Sequence, residues 1–445
     1  MNRYFHSVTL DADKCKGCTN CIKHCPTEAI RVRDGKAVIK EERCIDCGEC
    51  IRICPNHAKV AVTDDLELLT RFRHTIALPA PAFMGQFGPD ALPDRILGAL
   101  LSLGFDEVFE VALAAEAVTY AFRRVIDSGR ARRPPISAAC PAVVRLLQVR
   151  FPSLLEHLIR VESPMELAAR MAKRQATAGG AFRPAEVGAF FITPCPAKVT
   201  AIKQPVGTHT SSVDGAISLV AAYGEVRKLL DSGSSLPLRA TGPGLGWGRA
   251  GGEAMAVGSG TLLSVDGIHS VIKVLEEVER GRLEEIDFIE AQACVGGCIG
   301  GPLVVQNPFV ARVRLRNLAN RYWESQSVFS EAQLDQEYTQ GLWNMVRPIG
   351  PRPVMRLDDD VQRAIDKMKL VEETLEQLPG LDCGSCGAPS CRALAEDIAR
   401  QDAADTDCIF ILRERVQELA EGVVDLASKL PPAIRAGQKK DGEPE

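Results

Sequence analysis

Long apolar runs are missing from this chain of 445 residues. No stretch of about 18 apolar residues occurs, so no membrane-spanning helix is expected. An excess of positive charge is missing as well. With 53 basic against 58 acidic residues and a formal charge of −5, the chain does not read as a nucleic-acid binder steered by net charge. The opening MNRYFHSVTLDADKC has neither a basic start nor an apolar core, so no export signal is expected and the cytoplasm is the expected compartment. A composition of 46% hydrophobic and 25% charged residues fits two to four domains, each able to bury a core. What is present in quantity is cysteine, at sixteen residues. In a reducing compartment such thiols are metal ligands, catalytic groups or buried filler rather than disulfides.

The cysteines fall into sets. Eight lie in an internal repeat, LDADKCKGCTNCIKHCPTEAIRV and IKEERCIDCGECIRICPNHAKVAV, each half carrying Cys-x2-Cys-x2-Cys-x3-Cys-Pro. Three thiolates in one short loop can wrap one cubane, and the fourth, before proline, ligates the other cluster of the pair. This assigns Cys15, Cys18, Cys21 and Cys54 to one 4Fe-4S cluster, and Cys44, Cys47, Cys50 and Cys25 to a second. Structural zinc fits less well, because it prefers two separated cysteine pairs. Residues 1–66 thus resemble a bacterial two-cluster ferredoxin, an α+β domain.

Residues 67–356 read as α/β. Apolar runs (HTIALPAPAF, GAFFITPC, IDFIEAQAC) alternate with helical stretches such as DALPDRILGALLSLG and GIHSVIKVLEEVERG. In the latter, Ile268, Val271, Ile272, Leu275 and Val278 repeat at helical spacing and read as core. RRVIDSGRARRPP reads as a solvated basic loop. Four cysteines stand apart in SAACPAV, TPCPAKV and EAQACVGGCIGG, at turns where backbone N–H groups can stabilise a thiolate. Cys294 and Cys298, four apart, are expected on one face of a short helix; taken singly, each of the four reads as a buried thiol. Gly246-x-Gly248-x-x-Gly251 formally matches a dinucleotide fingerprint, but it follows TGPG rather than a strand, and no helix-opening pattern follows, so it is rejected.

Together these motifs resemble the active-site domain of FeFe hydrogenases: SAACPAVVRLLQVRFPSLLEHL is similar to the family's first signature, TPCPAKVTA to the second and EAQACVGGCIGG to the third. The resemblance implies a two-lobed domain in which Cys140, Cys195, Cys294 and Cys298 bind the 4Fe-4S part of an H-cluster. Cys298 would bridge to its two-iron subsite, which carries CO and CN ligands, and Lys198 would donate to a cyanide. Three departures stand out. Ala139 replaces the thiol that passes protons in catalytic members, Gln292 stands where methionine is usual, and Tyr120, Ala121 and Phe122 occupy the stretch of an expected acidic pair. Glu116, Glu253 or Glu290 would have to open another proton route, although each also reads as a structural carboxylate. A complete site with a weakened relay suits a slow hydrogenase or a hydrogen sensor.

Residues 357–430 read as a small helical module. MRLDDDVQRAIDKMKLVEETLEQLPG has the aspartates and Pro-Gly of a capped helix. Cys383, Cys386, Cys391 and Cys408 then suit another 4Fe-4S cluster, with zinc the rival. The GSCGAPSC string resembles a 4Fe-4S module found in several redox proteins and in regulatory FeFe hydrogenases. Beyond it, Ile409, Leu412, Val416, Leu419, Val423, Leu426 and Leu430 make a heptad seam, read either as a helix packed on its own domain or as a parallel dimer or signalling helix. Residues 431–445 read as a disordered tail. No kinase or phosphatase pattern follows, so an output would lie in a separate signalling protein, alongside an electron donor or acceptor protein. The alternatives are a working hydrogenase subunit with another proton path, and a non-catalytic hydrogenase-like iron–sulfur carrier.

Overall fold

The computed structural model describes residues 4–231 and 233–429; Leu430 and the expected tail at 431–445 lie outside the described residues. At the N-terminus, β1 (Val8–Leu10), β2 (Ile30–Arg33), β3 (Lys36–Ile39) and β4 (Lys59–Ala61) form two antiparallel pairs, β1 with β4 and β2 with β3. They share a small core of Val8, Ile22, Ile30 and Ala58 with the cysteines themselves.

The central region holds a parallel sheet of β5 (His74–Pro79), β6 (Glu107–Val108), β7 (Val187–Thr193) and β8 (Gly215–Ser218), in the order β6-β5-β7-β8. Every residue of β7 is buried, as a strand covered on both faces requires. Its side chains alternate between two cores. Phe190 and Ile192 pack with Ile96, Leu100 and Val226 of the helices Pro93–Ser102 and Leu219–Leu229. Ala189 and Phe191 pack with Val118, Phe122 and Ala168 of the helices Val111–Asp127 and Pro164–Thr177. A second parallel pair, β9 (Leu262–Asp266) with β10 (Phe288–Gln292), is extended by bridges from Ile136 to Ile289 and Leu158. The helix Ile268–Glu279 covers this second lobe with the five apolar residues the periodicity marks.

Several local expectations need correction. The first part of RRVIDSGRARRPP is helical, because Val111–Asp127 continues through it and Arg123 Nε donates to the Val257 carbonyl at 2.9 Å. Cys294 and Cys298 share no helix: Gly296 and Gly297 take φ of +83° and +91°, and only a short turn, Cys298–Gly300, follows. A short helix, Gly252–Val257, does open after Gly251, but the preceding segment is the helix Gly242–Gly246 and not a strand, so the dinucleotide reading still fails.

In the C-terminal region, Asp360 caps the helix Val361–Gln377 by accepting from the Arg363 N–H at 2.9 Å. This region seats on the N-terminal domain through Asp397, which is fully buried and accepts from Arg31 Nε at 2.5 Å, Lys40 Nζ at 3.0 Å and Arg33 Nη2 at 3.3 Å. The Val32 N–H donates to the Gly387 carbonyl at 2.8 Å. The last described helix, Ile409–Ser428, packs on its own domain only through the half-buried Ile411; its heptad seam is left exposed, so the expectation that the seam packs on that domain is not met.

Candidate functional site

All sixteen thiols gather into four groups, each around its own cavity. Cys15, Cys18, Cys21 and Cys54 line one; Cys25, Cys44, Cys47 and Cys50 line another. The crossing of Cys25 and Cys54 follows from the fold, since each closes the loop group of the opposite repeat. Cys383, Cys386, Cys391 and Cys408 line a third cavity, and Cys140, Cys195, Cys294 and Cys298 the largest.

That largest cavity, about 770 Å³, opens where strands of both lobes end. Its wall takes Ala80 and Pro81 after β5, Pro194 and Cys195 after β7, and Gln292, Ala293 and Cys294 from the end of β10 onward. The carboxyl ends of parallel strands are the usual place for a ligand in an open α/β sheet. Cys140 and Cys195 each precede a helix that opens with proline, Pro141–Arg150 and Pro196–Lys203, so their sulfurs stand at helix starts.

Lys198 lies between these thiols and donates from Nζ to Cys298 Sγ at 3.6 Å. Burial pushes its pKa down, but the surrounding thiolates, Cys298 first, outweigh burial and hold it above its ordinary value. Burial pushes Cys195 up to about 11 and also raises Cys294 and Cys298. Four thiols in a closed pocket are poor anions unless a cationic group joins them, and one lysine cannot balance four. A multivalent metal cluster fits that donor set. Gln292 adds a buried Oε1 with no partner at the same wall.

The N-terminal cavities pass the same test. Lys59 lines the Cys15 group, is 2% exposed and has an Nζ with no partner, so a buried cation faces four thiols there as well. Gly48, at φ +74° beside Cys47, brings the second group against the central site. A β-carbon on it would lie 2.4 Å from Pro302 and 3.2 Å from Pro196, next to Cys195. Arg52 reaches across the same seam and interacts with the Cys294 thiol. Asp46 pins the seam by accepting from the Ser7 N–H at 3.1 Å and from Thr200 Oγ1 at 2.9 Å. At the far side, Val32 lines the Cys15 cavity and bonds Gly387, placing the C-terminal cysteines beside it.

Ala139 lines the central cavity with no titratable atom. Of the three carboxylates that sequence singled out, Glu253 alone lines that cavity; it is 1% exposed, and its Oε1 has no partner. Burial first, then the neighbouring Glu290 charge, lift Glu253 well above the carboxylate range, while Ser137 interacts with it. The Ser137 hydroxyl also accepts from the Ala139 N–H at 3.2 Å. Glu290 stands behind, bonded by the Gly251 and Ala254 N–H groups at 2.9 and 2.8 Å, and burial raises it to about 7. Glu116 is elsewhere, accepting from Thr241 and Ser327. Ala121 and Phe122 are core, and Tyr120 donates to Asp335 at 2.9 Å. Sequence reasoning missed Ser137 and Arg52. The only signal for Ser137 was its place three residues before Cys140, and Arg52 becomes visible only once two domains meet.

Residues 73–235 and 252–302 match the family described as iron only hydrogenase large subunit, C-terminal domain. Residues 7–55 match a 4Fe-4S dicluster domain, and residues 378–410 an Fe-S cluster family. Among curated proteins, the periplasmic Fe hydrogenase large subunit of Nitratidesulfovibrio vulgaris is 29% identical over 212 residues, covering 43% of this chain and 50% of that protein. Iron hydrogenase 1 of Clostridium pasteurianum is 27% identical over 230 residues, covering 45% of this chain and 40% of the relative. The chain thus spans half or less of the length of these relatives. Among solved structures, an FeFe hydrogenase from Chlamydomonas reinhardtii aligns at 17% identity and a TM-score of 0.47, covering 64% of this chain and 97% of that one. No described helix is long and apolar enough to cross a membrane.

Proposed function

We propose that this chain, a hydrogenase-like iron–sulfur protein matching the FeFe hydrogenase family over residues 73–235 and 252–302, is a low-turnover, hydrogen-sensing member of that family. In this reading Cys140, Cys195, Cys294 and Cys298 hold the 4Fe-4S part of an H-cluster, with Cys298 also reaching its two-iron subsite. When bound, that cofactor supplies the metal centre at which 2H⁺ + 2e⁻ ⇌ H₂ proceeds. Lys198 would place a positive charge and donor protons at the anionic centre, as its contact with Cys298 Sγ supports. Gln292 offers an amide at the same wall. The two N-terminal cysteine groups and the Cys383 group hold three further 4Fe-4S clusters. The contacts Val32–Gly387 and Gly48–Pro302 support an order of these clusters from the C-terminal module through the ferredoxin-like domain to the central cavity. An electron donor or acceptor protein and a separate output protein complete the proposal, with the cytoplasm as its setting.

The observation that carries the sensing role is Ala139. A methyl group stands in the cavity wall where a proton-passing thiol would serve turnover, and general acid–base relays are worth ~100- to 10,000-fold in rate. A working hydrogenase subunit is the second reading, favoured by Glu253. Burial lifts its carboxyl well above the carboxylate range in the same wall, and Ser137 interacts with it and accepts from the Ala139 N–H. The decisive measurement is infrared spectroscopy of protein matured with a synthetic two-iron cofactor. CO and CN bands are expected; their absence would leave only a non-catalytic carrier. Given bands, slow hydrogen evolution that rises in Ala139→Cys supports the sensor. Fast parental turnover that collapses in Glu253→Gln would establish the working enzyme instead.

A further inference from the structure

The helix Ile409–Ser428 starts directly after Cys408 and presents its whole apolar seam to solvent: Ile409, Leu412, Val416, Leu419, Val423 and Leu426 are 45 to 71% exposed. The helix Ile268–Glu279 carries a similar periodicity, yet Ile268, Val271, Ile272, Leu275 and Val278 are at most 8% exposed. An apolar stripe of three heptads left uncovered on one chain needs a second helix.

We propose that this helix forms a parallel two-stranded coiled coil with a second copy of the chain. The seam composition selects the partner number. Its first core positions, Ile409, Val416 and Val423, are β-branched, and its second, Leu412, Leu419 and Leu426, are leucine; that alternation favours two parallel strands over three or four. The charges flanking the seam select a copy of the same chain over an acidic partner. Arg415 is already paired with Asp405, and Lys429 with Asp425 at 2.5 Å, within the chain. In a parallel pair Arg415 faces Ala420 of the partner helix and Gly422 faces Ala427, so no like charges meet and the small residues admit close approach. The acids Glu414, Glu418, Glu421 and Asp425 fall on the outer positions. Leu430 continues the seam in the sequence. Because Cys408 precedes the first turn, pairing sets the C-terminal cysteine groups of the two copies at the same end of one rod.

Sedimentation of the full-length, cluster-loaded protein tests this. A species of twice 48.2 kDa is expected at micromolar concentration. Leu419→Glu should raise the dissociation constant at least ~100-fold, the scale on which a charge replaces a buried seam leucine. Its iron content and circular dichroism should be unchanged because the residue is exposed in the single chain. Glu418→Gln, on the outer face, should stay dimeric. A monomeric parent, as a seam reserved for another protein would give, overturns the proposal. So does a dimer that Leu419→Glu leaves intact. Orientation is read from Val423→Cys treated with a short bismaleimide under argon. Parallel helices juxtapose the two copies of position 423 and cross-link. Antiparallel helices set position 423 against 412, so the absence of a cross-link in a dimer overturns the parallel arrangement.

Discussion

The N-terminal domain and the central domain hold thiols around a lysine in two different ways. The first draws its eight cysteines from Cys15 to Cys54, in two loops whose spacing alone points sulfurs at a common centre. The second collects four cysteines from Cys140 to Cys298, on turns of two lobes that meet only after both sheets have formed. A local loop closes at small entropic cost, whereas the central site depends on packing far from it. The central site can therefore be tuned by single wall residues, such as Ala139 and Gln292, without altering its ligand set.

The largest expected effect is loss of a whole site. Cys195→Ala should remove the iron of the central cavity and leave the N-terminal signals in electron paramagnetic resonance. Cys54→Ala should empty the Cys15 group while sparing its sequence neighbour Cys50. Loss of the Cys44 group instead would break the crossed assignment. Next come the buried charges. Asp397→Asn leaves Arg31 buried without its partner, a change worth about 3–5 kcal/mol. Hydrogen exchange should then rise at β2 and around Gly387, with the central cavity unaffected. The pH dependence follows from the same contact. Burial raises Asp397, but the Arg31 and Lys40 contacts outweigh it and hold the group below its ordinary value. A depressed folded pKa stabilises above the unfolded value of about 3.9 and is lost as pH falls through the folded one, so docking should survive to below about pH 4. Release of the module between pH 5 and 6 would contradict this.

Helices sharpen the comparison at smaller scale. Leu275→Ala, in the core of the second lobe, should cost about 2–5 kcal/mol in denaturant unfolding. Leu419→Ala should change the stability of dilute monomer by no more than about 0.5 kcal/mol. Equal losses would mean that the last helix is covered within one chain.

Much was legible in the sequence. The helix Ile268–Glu279, the cap at Asp360 and the three central strands announce themselves by period, end residues and continuous apolar runs. The failures have physical reasons. Cys294 and Cys298 have helical spacing, but two glycines at positive φ break it, and spacing carries no dihedral. The heptad seam reads the same whether a domain or another copy covers it, because periodicity records which face is apolar and not what lies against it.

By itself the sequence determined the donor chemistry: sixteen cysteines in groups of eight, four and four, with an alanine beside Cys140. Spacing sufficed for the two repeat loops because their sulfurs are covalent near-neighbours. Only the tertiary structure decided that Lys198 and Glu253 share one wall, that Glu116 does not, and that Arg52 reaches Cys294 from another domain. Those placements depend on how two cores pack and on which buried charges find partners, and these are properties of distance in space rather than along the chain.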